Sequence, residues 1–175
     1  LIAVDKPLFD ENIQLGFGYK TSGGELGTAL KLGKSVDNFT VRGSGSLVSA
    51  GPYDLANVST KQANSSKFVT SGGVGITYND GQNHIGVSLD KLEAVYQNPG
   101  AEGEENMTSL NPTRNTINFD SSLTLDFLIF EKFNLEGTVS EYNHAERTGD
   151  GNNHNITFFH DIYEIKTSLN HKSLF

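Results

Sequence analysis

The chain has 175 residues, a formal net charge of -8 and no cysteine. An acidic chain is repelled by phosphate backbones, so nucleic-acid binding is not expected. The missing thiols exclude disulfide frameworks, cysteine zinc sites and thiol nucleophiles. Hydrophobic residues make up 35% of the chain, with Gly 19 and only Pro 4. That is lean for a soluble core and suits strands that are apolar on one face only. No stretch approaches the roughly 18 apolar residues of a membrane-spanning helix. The opening LIAVDKPLFDE lacks a basic n-region and does not read as a signal peptide.

Alternating hydrophobicity predicts eight strands and no helix. The first is 12–20, with Ile13, Leu15, Phe17 and Tyr19 on one face. Ser22-Gly23-Gly24 is a turn into the second, 25–34, whose apolar side is Leu26, Leu30 and Leu32. The third, 39–49, turns Phe39, Val41 and Leu47 one way and Thr40, Arg42, Ser44 and Ser46 the other. A polar stretch from Gly51 to Ser66 leads to the fourth, 67–78. Asn79-Asp80-Gly81-Gln82 is a hairpin turn into the fifth, from His84 to about Tyr96. There the alternation of Ile85, Val87 and Leu89 slips at Lys91, Leu92 and Glu93, which predicts a bulge.

A second long loop is expected from Gln97 to Arg114, carrying Glu102, Glu104 and Glu105. The sixth strand, 115–130, sets Ile117, Phe119, Leu123, Leu125, Phe127 and Ile129 against Asn118, Asp120, Ser122, Thr124 and Asp126. Glu131-Lys132 is a predicted turn. The seventh, 133–147, carries Phe133, Leu135, Gly137 and Val139 on its apolar parity and Glu136, Tyr142, His144 and Glu146 on the other. The eighth runs from Ile156 to about His171.

Connections after strands two, four and six are short, and those after three, five and seven are long and polar; the short one after strand one is the exception. That is the habit of outer-membrane barrels. A strand as long as 115–130 would cross a bilayer when tilted. The expected architecture is all-β: an antiparallel up-and-down meander of about eight long strands, forming a segment of a transmembrane barrel or a small one. Apolar residues then look out to lipid and the polar row into an aqueous bore, where Arg42, Asp120, Asp126, Glu136 and Lys166 would pair with one another or with a plug.

Tyr142, His144 and Glu146 project to one side, with two strand steps, about 6.5–7 Å, between neighbours of the trio. Imidazole and carboxylate at that spacing suit a metal such as zinc, with His154, Asp150 or Glu102 added from the loops. The plainer reading is a polar strand end hydrogen-bonded to its neighbours at the rim. Asp150-Gly151-Asn152-Asn153 lacks the spaced acids of a calcium loop. Ser44 lies in Gly43-Ser44-Gly45 within a strand, so no nucleophile elbow is present and no enzymatic activity is expected.

Three sets of residues then stand in a telling order. Tyr142-Asn143-His144-Ala145-Glu146 is followed by Phe158-Phe159-His160-Asp161 and Glu164, then by Leu169-Asn170-His171. Val95-Tyr96-Gln97-Asn98-Pro99-Gly100 lies upstream, with Gly86-Val87-Ser88 before it and Gly51-Pro52-Tyr53 after the strand of Arg42. Their order, over residues 12 to 171, resembles the middle barrel of TonB-dependent outer-membrane receptors. The resemblance implies a barrel of about 22 strands with a plugged lumen, of which this chain would be a segment. No plug, TonB-contacting box or terminal aromatic strand is seen in the sequence.

It also implies a cell outer membrane location and import of a scarce solute: a ferric siderophore, haem, a metal ion, cobalamin or a sugar. Its partners would be the rest of the barrel and plug, the TonB complex through that plug, an extracellular ligand and the lipid bilayer. The candidate ligand-binding residues are Tyr142, His144, Glu146, Tyr96 and Arg42; the candidate metal ligands are His144, Glu146 and His154. No resident cofactor is expected. The alternatives are a small closed eight-strand outer-membrane protein for adhesion or envelope stability, and a soluble β-barrel that binds a ligand in its mouth.

Overall fold

The computed structural model describes residues 12–55, 59–99, 108–127, 129–148 and 153–172. They form one eight-stranded antiparallel sheet in chain order: β1 (Asn12–Lys20), β2 (Glu25–Val36), β3 (Phe39–Ala50), β4 (Lys67–Asn79), β5 (His84–Asn98), β6 (Thr108–Phe127), β7 (Phe130–Thr148) and β8 (Asn153–His171). The only helical turn among the described residues is Ser22–Gly24. Its Gly23 has φ 72, and a Cβ there would stand 3.3 Å from the Gly51 carbonyl, so glycine is required twice over.

The all-β meander is as expected, but the sheet is not closed. β1 and β8 are its edges, with no ladder between them among the described residues. The small closed eight-strand barrel is therefore not what forms.

Residues opposite each other in the register share a face. One row across the sheet carries Ile13, Leu32, Gly43, Val74, Leu89, Ile117, Val139 and Tyr163, without a charge. The next row toward the long loops starts apolar, with Leu15 and Leu30. It passes through Gly45 and Gly72 and ends as Lys91, Asn115, Glu141 and Asp161. The next row toward the short turns does the reverse. It starts at Lys34 and continues as Val41, Ile76, Val87, Phe119, Gly137 and Ile165. The apolar band thus runs obliquely to the strands, as it does where tilted strands cross a flat apolar layer.

Burial is inverted relative to a water-soluble sheet protein. Leu15 is 81% exposed and Ile165 77%, while Ser88 is 1% and Asn118 6% exposed. Large apolar side chains stand out and small polar ones are enclosed. Among the described residues no second layer covers either face.

The structure corrects several sequence expectations. No bulge interrupts β4–β5 at Lys91–Glu93: the register runs unbroken from Lys67↔Tyr96 to Asn79↔His84. Lys91 and Glu93 keep the apolar parity but lie where β5 has left the apolar band. β6 begins at Thr108, seven residues inside the predicted loop, and includes Pro112. Proline has no N–H to give a ladder; accordingly the β5–β6 pairing skips from Glu93↔Thr113 to Tyr96↔Leu110, while Pro112 pairs with His144 on the other side. Glu131 and Lys132 belong to β7, and the turn falls before Phe130. β6–β7 instead shifts register between Thr124 and Phe127.

Candidate functional site: the polar face and its rim

The polar face is a hydrogen-bonded wall. Its central row is Arg42, Gly75, Ser88, Asn118, Thr138 and Glu164. Asn118 donates through Nδ2 to Ser88 Oγ at 3.3 Å and Asp90 Oδ2 at 3.2 Å, and its Oδ1 accepts from Thr138 Oγ1 at 3.1 Å. Ser88 also donates to Asp90 Oδ2 at 3.2 Å. Thr116 and Ser140 share a hydroxyl bond of 3.0 Å, and Ser46 and Ser71 one of 2.7 Å. A hydroxyl and amide wall of this kind satisfies itself and leaves little for water to contact.

Charge sits beside that network. His84 Nε2 is 2.6 Å from Asp120 Oδ2, and the other oxygen, Asp120 Oδ1, is buried without a hydrogen-bond partner. Asp120 pairs in register with Glu136, and Glu136 with Lys166, whose Nζ is 2.8 Å from Glu164. Asp120 and Lys166 thus take His84 and Glu164 as their ion-pair partners rather than one another or Glu136. The side chain of Asp126 lies outside the described residues.

At the long-loop rim, three rows cross the same face. They are Leu92, Arg114, Tyr142 and His160; then Pro112, His144 and Phe158; then Tyr96, Leu110, Glu146 and Ile156. The His144 ring has Phe158 at 5.8 Å and Tyr142 edge-on at 6.2 Å. Its Nε2 is buried and 3.9 Å from Glu146 Oε1, too far for a hydrogen bond. The predicted trio therefore does meet, and Tyr96 shares the row of Glu146 with Leu110 between them. Arg42 does not join: it lies in the central row, on β3. Sequence reading missed Pro112 and Phe158, which make His144's surroundings apolar; only the register reveals them.

The metal proposal gains no third ligand. Among the described residues no group of three His, Asp or Glu could hold an ion. Glu102, Asp150 and the side chain of His154 lie outside the described residues.

The rim is tied down by the connection between β3 and β4. Asn64, at φ 51, donates through Nδ2 to the carbonyls of Asn98 at 2.5 Å and Thr108 at 3.1 Å, gripping the end of β5 and the start of β6. Ser66 bonds the Gln97 side chain, and Gln97 N–H donates to the Ser66 carbonyl at 2.9 Å. Asp54 and Lys61 form a small bridge inside the connection.

No known protein family, curated protein or solved structure matches the chain.

What this arrangement offers chemically is a hydrophilic wall, ionic below and aromatic at its upper edge, backed by a greasy outer face.

Proposed function

We propose that the chain is a wall segment of an outer-membrane receptor barrel of the TonB-dependent kind. It would bind a scarce solute at the loop-side rim and pass it along the polar face. Energy would come from the inner membrane through TonB and a plug, in line with the sequence resemblance. One observation carries the membrane reading: on the inner strands Val74, Leu89 and Ile117 of the apolar face are exposed while Thr77, Ser88 and Asn118 of the polar face are buried. In water, exposing Leu15, Phe17 and Ile165 would forfeit about 1.5–3 kcal/mol per side chain, a cost that lipid removes. The oblique apolar band and the 19- and 20-residue strands point the same way. The open edges suit a wall that continues into further strands on both sides, since unpaired edges are otherwise a liability.

The absence of cysteine permits a direct test. Single cysteines at Leu15, Val87 and Ile165, labelled with a fluorophore in reconstituted vesicles, are expected to be quenched by brominated lipid. Cysteines at Gln14, Ser88 and Glu164 are expected to resist it. Equal quenching on both parities would sink the membrane wall. Solute import is tested separately, by uptake in cells carrying the protein with and without the rim residues Tyr142, His144 and Glu146.

A further inference from the structure

We propose that the loop-side rim is one hydrogen-bonded body, in which the β3–β4 connection joins the β1–β2 turn to the ends of β5 and β6 and Asn64 closes the join. Its bonds form a continuous path. Gly51 N–H donates to the Gly23 carbonyl at 3.0 Å, which fastens the start of the connection to the β1–β2 turn. Tyr53 N–H then donates to Ser65 Oγ at 3.2 Å, and Gln62 N–H to the Tyr53 carbonyl at 2.9 Å. Ser65 Oγ donates in turn to the Gln62 carbonyl at 2.7 Å. The outgoing and returning arms of the connection therefore meet at Ser65, and Asn64 is its neighbour in the chain.

Asn64 carries the path onward. Asn98 and Thr108 are the pair at the loop-side end of the β5–β6 ladder, and the Asn64 amide donates to both their carbonyls. A side-chain amide has two protons, and both are used there. The next row on that face is Tyr96, Leu110 and Glu146, so the clamp lies one row beyond the rim residues. Two properties fit Asn to this place. Its φ of 51 lies in the left-handed region, which Asn tolerates better than most residues. Glycine would meet that need as well; it would not supply the donors. A rim joined in this way loses its freedom on folding, so less remains to be lost when anything binds. The join stands whether or not the rim serves solute import.

Hydrogen exchange of the purified protein, read by nuclear magnetic resonance, tests it. In the unaltered chain the Asn64 side-chain amide protons are expected to exchange at least about tenfold more slowly than those of Asn in an unstructured peptide. Equal rates overturn the clamp. Asn64→Asp keeps the size and removes both donors. In it the Gln97, Gln62 and Gly51 amides are expected to exchange about tenfold faster together, while Asn79, at the short-turn end, stays within about twofold. Asn64→Gly, which keeps the left-handed backbone, is expected to match Asn64→Asp. Wild-type exchange in Asn64→Gly would mean that backbone shape alone is needed, and it overturns the proposal. A rise confined to Gln97, with Gly51 unmoved, or a rise that reaches Asn79 equally, overturns the single rim body.

Discussion

The Lys67 ammonium stands 2.6 Å from the Glu25 carboxylate, although β4 and β2 are not neighbours. Glu25 also receives Lys20 from β1 at 2.9 Å, so one carboxylate ties three strands at the loop-side rim. Ala50, the last residue of β3, pairs with Lys67 and leaves the gap between them clear. Ala50→Phe is expected to fill that gap and part the ion pair. The cost should be about 1 kcal/mol or more in denaturant titration, with β1 proteolysed faster. Unchanged stability and unchanged β1 cleavage would show that the gap is not needed.

Glycines on the two faces of the sheet differ. Gly73→Ala drives a methyl into the Asp90 carboxylate, with Asp90 Cγ at 3.0 Å and the Leu89 carbonyl at 3.1 Å leaving no slack. The carboxylate must swing off Ser88 and Asn118. A loss of about 1–3 kcal/mol is expected by chemical denaturation. Gly43→Ala on the outer face meets nothing within 4 Å. There the same substitution should be neutral or stabilising by up to about 1 kcal/mol, because it restricts the unfolded chain.

Asn118 is the hub of the polar wall. Asn118→Leu removes two donors from the Ser88–Asp90 pair and the acceptor of Thr138, all in an enclosed setting. A destabilisation of about 2–4 kcal/mol is expected, since stranded buried polar groups cost more than the bonds themselves supply. The adjacent outer position makes the control: Ile117→Leu, on the exposed apolar face, should change the midpoint little. Similar losses at both positions would mean that the two faces are not distinguished as described.

How much of this could be read from the sequence follows from what alternation encodes. Parity separates Phe119 from Asn118 without error, because each strand keeps its pleat regardless of its neighbours. Alternation is silent about where a strand leaves the apolar layer. Lys91 and Glu93 therefore resembled a slip, when they mark the edge of the band on β5. Pro112 hid the first turns of β6 for a different reason: proline breaks most ladders, and here the pairing with β5 simply passes over it. The rim trio was legible because its members lie on one strand. The approach of Arg42 to Gly75 and of Asp90 to Gly73 was not, because it depends on the register of three strands joined by connections of unrelated length.

The β4–β5 turn gives a pH dependence of definite sign. Asp80 accepts N–H bonds from Asn83 at 2.7 Å and Gln82 at 2.9 Å, and Gly81 takes φ 89 to close the turn. The Asn83 backbone N–H, then its side-chain amide and the Gln82 N–H, hold the Asp80 carboxyl below its ordinary value of 3.8. A carboxyl whose pKa is lower folded than unfolded adds stability fully present above the unfolded value. That stability is lost as pH falls from there through the folded value. Wild type and Asp80→Ala should therefore differ in thermal midpoint at pH 7 and converge as pH drops below about 3.8. A difference that stays constant through the acid range would mean that the charged carboxylate does not hold the turn.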